Sequence, residues 1–509
     1  MATVHRKTGG NIDPGSGDPN DKAYSEHAEL RLEKELGSVP DFDMPPEEER
    51  RMVRKCDWRI LPIVSALYVM SFLNRVNIGN ARIFNLEKYL GLSGDDYQLC
   101  VAVLFATYVT FEIPSNILLK KLQPRRFIPG IAIAWGAVSL CTGFVQNKTQ
   151  MIAVRLLLGI FEAGYFPGAA FYLTFFYRRR ELAIRIFYLY ASAALAGVIG
   201  GLVAYGLGHM DGVRGLSAWR WLMILEGLPT MLLGIIAFFV LANSPSEAPY
   251  LTEREKSFVQ IRRHLDGSSL GLEGEGKIDW QQSMSAFRDW KVWTLSVGQL
   301  GATVAIYGYN TFLPTIINAL GYNGLHTQLL TIPCYFAGVL CFLGTAYLSD
   351  RTGRRGYFAI TGGVTCAVGY VIILASFARG NAPQYAGCII VGMGVYTATG
   401  IPLSWMPSNL PSHYKRAVGQ AMAMTLANVS GTFTPFLYRT QDRPLYRLGH
   451  AGSLGFMVLT IVMHALTSVL LKRENKRRNR GERNYRLEGK TPEEIAQLGD
   501  DHPDYRYMY

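Results

Sequence analysis

Twelve apolar runs, each about 20 residues long, constrain this chain more than any other feature. They lie near 60–80, 98–119, 128–147, 151–176, 186–208 and 221–243, and then, after a charged stretch at 244–290, near 293–317, 327–348, 357–378, 384–406, 418–438 and 453–472. An α-helix rises 1.5 Å per residue, so each run matches the ~30 Å hydrocarbon core of a bilayer. Only 18% of the 509 residues are charged, where a soluble domain carries about 25%. The expected fold is therefore an all-α integral membrane protein of twelve transmembrane helices.

The loops orient those helices. Basic residues gather after span 2 (Lys120, Lys121, Arg125, Arg126), span 4 (Arg178, Arg179, Arg180), span 8 (Arg351, Arg354, Arg355) and span 10 (Lys415, Arg416). The loops after spans 3, 7 and 9 offer only Lys148, no basic residue, and Arg379. An excess of Lys and Arg marks the cytosolic side, so both termini and the central segment are expected there. Arg439, Arg443 and Arg447 after span 11 dissent.

Five units follow: a cytosolic disordered N-terminal tail at 1–55, a six-helix half at 56–243, a cytosolic linker at 244–290, a second six-helix half at 291–472 and a cytosolic C-terminal tail at 473–509. The N-terminal tail is polar and has no apolar core of the kind a cleavable signal peptide needs. "LLKKLQPRRF" after span 2 and "YLSDRTGRRG" after span 8 correspond at an offset of roughly 230 residues, which suggests two pseudo-symmetric halves with a ligand site between them.

Several classes of function are excluded. The formal charge of +12 is dispersed over helix-orienting loops and forms no nucleic-acid patch. The seven cysteines show no CxxC spacing and read as small buried hydrophobes, with no metal site and no disulfide framework. The chain has no P-loop, HExxH or nucleophile elbow. An enzyme is not expected, nor a cofactor, nor an ATP-driven pump. The sequon at Asn147 sits in a very short loop at a membrane edge and is expected to be unused; Asn428, in a second sequon, falls within span 11.

Ionisable residues inside the spans are few: Arg75 in span 1, Glu112 in span 2, Arg155 and Glu162 in span 4, and Arg220 and Glu226 at the opening of span 6. An arginine at the centre of a spanning helix costs at least ~2.5–3.5 kcal/mol, so such residues face the bundle interior and carry function. Arg75 lies about 15 residues, or 15 × 1.5 Å, into span 1. Its planar fork suits a carboxylate substrate; an ion pair with Glu162 is the structural alternative, and the two are compatible. Arg155 and Glu162 are seven apart and share a helix face. Glu162 suits proton coupling, because burial and a nearby arginine act on a carboxyl in opposite directions. Glu112 reads as a gating or structural group near the cytosolic end, and Arg220 and Glu226 as structural groups near an aqueous boundary. In the second half, Tyr307, Tyr309, Asn310, Trp405 and Asn409 could sandwich and hydrogen-bond a small ring, or serve interhelical packing. Asp350, Arg351, Arg354 and Arg355 form a charged turn suited to gating through helix-end contacts.

These strings resemble a known family. Residues 55–505 look like the major facilitator superfamily, and "DRTGRRG" is close to its signature loop. "LNRVNIGNAR", "EIPSNILLKK", "RLLLGIFEAGYFPGAAFYLTFFYRRRELAIRI", "WRWLMILEG" and "YKRAVGQAMAMTLANVSGTFTPFLY" together resemble the fungal anion:cation symporters of the allantoate-permease type. The ending "LGDDHPDYRYMY" is similar to that of nicotinate-permease-like members. The resemblance implies the major facilitator fold, alternating access, a monomer, and uptake of a small organic anion with protons across the plasma membrane, nicotinate or a related vitamin or catabolic substrate being favoured. It also implies that Asn74, Arg75, Arg155 and Glu162 handle substrate and proton. Asn74 stands where the pattern usually has aspartate, so one protonatable group is missing. Export of an acidic fungal metabolite, or a nutrient receptor with no appreciable flux, are the alternatives.

Overall fold

The structure, a computed structural model, describes residues 44–265, 280–322, 324–491, 495 and 498–509. The expected disorder of the N-terminal tail up to residue 43 lies outside the described residues, as does 266–279 of the linker. The first half contains α1 (Pro46–Ile83), α2 (Leu86–Leu90), α3 (Asp96–Leu122), α4 (Pro124–Thr142), α5 (Lys148–Glu162), α6 (Tyr165–Leu173), α7 (Arg179–Gly208) and α8 (Ala218–Val240). The linker carries α9 (Glu253–Leu265) and α10 (Trp280–Arg288); α11 (Trp290–Ala319), α12 (Gly324–Thr352), α13 (Arg355–Ala375), α14 (Asn381–Ser408), α15 (His413–Phe433) and α16 (Arg447–Asn479) follow.

Every expected span coincides with helix. Among the described residues, nine segments are long and apolar enough to cross a membrane, with α5 and α6 counted as one; α4, α11 and α15 are outside that set. The last two owe their polarity to residues turned inward, such as Gln299, Asn310, Asn428 and Ser430, all buried. Two boundaries differ from expectation. Helix α1 begins at Pro46, well before 56, because a proline in the first turn and the run Glu47, Glu48, Glu49 favour a helix N-terminus there. At 38 residues it is roughly 57 Å long, so its first turns project beyond a bilayer core. Span 4 is broken between α5 and α6. Pro167 has no N–H to return to Ala163, and Gly164 fits where a Cβ would crowd Ser115 and Phe127.

The halves pack with matching internal order. Helix α1 lies against α7 and α8, and α11 against α15 and α16; α3 packs on α5, and α12 on α14. Between halves the contacts are α1 with α11, α3 with α15, and α7 with α12. Exchanging the halves maps the first contact onto itself and the second onto the third, so the interface shares the pseudo-twofold relation that the repeated loop suggested.

Direct bonds between halves gather at the end remote from the termini. Arg82 donates to Thr440 at 3.0 Å, Gln98 to the Tyr438 carbonyl at 2.9 Å and Arg443 to Glu87 at 3.0 Å. Gly79 lets α1 touch α11 here, since a Cβ would overlap the Thr311 carbonyl oxygen. At the opposite end the linker is fastened to the first half: Arg262, 1% exposed, reaches Glu49 at 3.2 Å, Glu181 at 3.1 Å and the Phe176 carbonyl at 2.9 Å.

The C-terminal segment folds back under the second half. Asp500 meets Lys291 at 2.9 Å and Lys415 at 3.0 Å, and Asp289 meets the same lysines at 2.8 and 2.7 Å. Arg478 donates to the carbonyls of Asp500, His502 and Tyr505, while Asn475 and Tyr507 exchange a pair of bonds.

Candidate functional site

Arg75 projects from the C-terminal third of α1 to Glu162, the last residue of α5, with Nε and Oε1 2.5 Å apart. Ser71, one turn earlier on α1, donates to the same oxygen at 2.5 Å. The Arg75 guanidinium lies 4.4 Å from the Tyr108 ring centroid, the cation over the π face. The Arg75 side chain is 14% exposed and the Glu162 side chain 0%. A ligand entering the bundle therefore meets the cation before the carboxylate.

Residues of both halves meet at this cation. Tyr307 of α11 lies beside Arg75 and donates to Asn428 Oδ1 at 2.9 Å; Asn428 Nδ2 of α15 donates to Glu112 Oε2 of α3 at 3.2 Å. Phe105 of α3 packs on the Tyr307 ring at 4.7 Å. Glu112, read from the sequence as a gating or structural group, has its side chain turned to the second half. It is buried at the interface between halves, because Asn428 offers the donor that a carboxylate needs there.

Arg155 and Glu162 are both buried on the inward face of α5 but do not pair. Arg155 Nη1 donates to the Asn74 carbonyl at 3.3 Å, and the Asn74 side chain turns to Ser139 of α4 at 2.7 Å, away from Arg75. Glu226 is not at an aqueous boundary as expected: it is 4% exposed in the interior of the first half, since α8 begins two turns before it. Arg220 does sit at the start of α8 and donates to the Gly143 carbonyl at 3.0 Å.

The remaining second-half candidates point elsewhere. Tyr309 donates to the Cys388 carbonyl at 3.1 Å, and Asn310 accepts from Tyr396 at 2.9 Å, so both bind α11 to α14. Trp405 and Asn409 donate to the Met508 carbonyl at 2.8 and 3.0 Å. They hold the C-terminal segment and are not grouped with Arg75. In the charged turn, Gly353 adopts φ +66°, a left-handed geometry that favours glycine. Arg355 then reaches Asp350 at 3.3 Å, the Ser404 carbonyl at 2.5 Å and the Ser408 hydroxyl, tying together the ends of α12, α13 and α14. Arg351 and Arg354 are exposed. The sequon residue Asn147 caps α5 by accepting from the Gln150 N–H at 2.9 Å.

Two helical halves that meet around a buried, partly exposed charge have the arrangement of a membrane carrier. The sequence model of the Major Facilitator Superfamily matches residues 64–435, and the chain belongs to that family. It is 35% identical over 472 residues to an uncharacterized transporter of Schizosaccharomyces pombe, covering 93% of this chain and 92% of the other. It is 32% identical over 498 residues to the high-affinity nicotinic acid transporter of Saccharomyces cerevisiae, covering 96% and 91%. Its fold is similar to that of a bacterial homologue of the human lysosomal transporter Spinster in an inward-facing, unoccupied conformation, with a TM-score of 0.59 at 15% identity, over 81% of this chain and 95% of that one.

Proposed function

We propose that this transporter takes up a small organic anion with a proton across the plasma membrane, both termini lying in the cytosol, and that the anion is a monocarboxylate such as nicotinate. The Arg75–Glu162 pair carries this reading. A substrate carboxylate can replace Glu162 in the arginine's fork with little loss of hydrogen bonding, and Glu162, displaced in a buried site, then holds a proton. One anion and one proton make the step electroneutral. Tyr307 and Tyr108 flank the cation and supply aromatic faces for a planar ring. Asn428 links Tyr307 to Glu112, so a substrate that moves Tyr307 acts on both halves at once. The charged turn around Asp350, Arg351, Arg354 and Arg355 serves gating at the terminus end. The similarity to a nicotinic acid transporter supports the choice of anion. The carrier works as a monomer in this scheme.

The test is uptake of radiolabelled nicotinate at acid pH in yeast without its own permease, with and without an uncoupler. Saturable uptake that collapses with uncoupler and is lost in Arg75→Ala and Glu162→Gln is expected. A changed proton:anion ratio in Asn74→Asp would show that a second carboxyl can join the site. No uptake by protein correctly placed at the cell surface would refute nicotinate import and direct the screen to other carboxylates and to efflux.

A further inference from the structure

Besides Glu162 and Glu112, a third buried membrane-embedded carboxylate stands outside the ion pair with Arg75. Glu226 is 4% exposed and has no ion-pair partner among the described residues, and the Asn77 side chain is its one hydrogen-bond donor. Its charged and polar neighbours are Asn77 on α1 and Arg155 and Glu162 on α5. Helix α4 packs on the same stretch of α8 through Gly136 and Leu140 against Gly227, and brings no titratable group at that contact. Arg155 is also under-used: it is 2% exposed, only Nη1 is bonded, and Nε and Nη2 lack partners. On its other side Arg155 faces Tyr97 and Cys100 of α3.

A buried carboxylate escapes the penalty of an isolated charge in two ways, by holding a proton or by pairing with a cation. Glu226 has no ion-pair partner in the arrangement seen, yet a buried guanidinium with two unpartnered nitrogens is its electrostatic neighbour. We propose that Glu226 is a second proton-binding site of this carrier, with Arg155 as the counter-ion that replaces the proton. With Glu226 protonated, Arg155 rests on the Asn74 carbonyl. When the O–H bond breaks and the proton passes to water, the carboxylate draws Arg155 off that carbonyl. The two residues go from a net +1 to neutral, the charge leaving with the proton, and the new pair spares the carboxylate from standing as an isolated buried charge. Asn74 is the residue before Arg75, so the exchange tugs on the backbone that carries the substrate cation. The link to anion uptake rests on the function proposed above; the proton site itself does not.

The test is infrared titration of the purified full-length chain in lipid nanodiscs, with no substrate present. The wild type is expected to show a protonated-carboxyl C=O band that vanishes as pH rises. Glu226→Gln should lose that band, Glu226→Asp should move it in frequency, and Glu162→Gln should keep it. Arg155→Ala, which removes the counter-ion, should hold the band to higher pH, a readout that a purely packing role for Arg155 would not move. If Glu226→Gln does not yield folded protein, the frequency shift in Glu226→Asp decides. A band unchanged in both Glu226 variants overturns the proposal. A wild type that shows the Glu226 band but moves no nicotinate would refute the substrate while leaving this site standing.

Discussion

Asp500→Asn is the sharpest perturbation of the C-terminal fold-back. Two lysines, Lys291 and Lys415, share two carboxylates, Asp289 and Asp500, with all four charges buried and separations of 2.7–3.0 Å. Removing one partner of a buried ionic cluster costs about 3–5 kcal/mol. The lower end applies, because Asp289 still touches both lysines and the Asp500 carbonyl still accepts from Arg478 and Tyr507. A loss of ~3 kcal/mol corresponds to roughly a hundredfold rise in the detached population. Amide hydrogen exchange reads this directly, since the Tyr507 and Met508 N–H groups are bonded to Asn475 and Asn409 at 2.9 Å in the docked segment. Exchange at both amides should accelerate about a hundredfold while core helices such as α14 keep their protection. The pH dependence has a definite sign. Burial would raise the Asp500 carboxyl, but Lys291 and Lys415 outweigh it and hold the group below its ordinary value. The stabilisation is therefore full above the ordinary carboxylate range and is lost as pH falls through the depressed native value. The difference between wild type and Asp500→Asn should vanish in strong acid. Exchange at the two amides that stays within a few-fold of wild type at neutral pH would refute the ionic clasp.

Arg75→Met and Glu162→Gln should each lower thermal stability by stranding one buried charge, at about 3–5 kcal/mol, and the double variant should recover much of the loss; additive losses in thermal unfolding would show that the pair is not coupled. Gly79→Val places a branched side chain against the Thr311 carbonyl, so spin labels at positions 89 and 441 should report a wider remote end than in wild type. An unchanged distance distribution would mean that α1 and α11 do not govern that closure. Asn409→Ala should speed amide exchange at Met508 and leave the KM for uptake unchanged, whereas a raised KM would return Asn409 to the substrate site.

The helices were legible because a bilayer permits few backbones: a chain with that many apolar runs must satisfy its N–H and C=O groups inside helices. Arg75 and Glu162 were legible for the same reason, an ion in lipid needing a partner. The site was less legible where identity depends on depth. Glu226 follows Arg220 by only six residues, and the two read together as groups near an aqueous boundary; yet helix α8 starts at Ala218, so Glu226 is already about 12 Å along the helix. Counting residues from the cap at Ser217 would have found it. Trp405 and Asn409 could not be placed from their own helix, because the Met508 carbonyl that they bind lies about a hundred residues away and no periodicity links the two.

The distribution of bonds between halves points to how such a carrier can move. At the remote end the halves are joined by Arg82, Gln98 and Arg443, all within reach of the Thr440 segment, and by the bare Gly79 contact. These are few and polar; the Arg443–Glu87 bond is exposed and exchanges for water at little cost, whereas Arg82 and Gln98 are buried and pass to water only as that end opens. Midway, the Glu112–Asn428–Tyr307 chain is buried, and breaking it strands a carboxylate at considerable cost. Rocking about the buried chain, with the remote bonds released, therefore requires less free energy than separating the halves as a whole. Arg75 lies beside Tyr307 on that line, so whatever binds the cation acts at the pivot, where a small displacement is felt by both ends of the bundle.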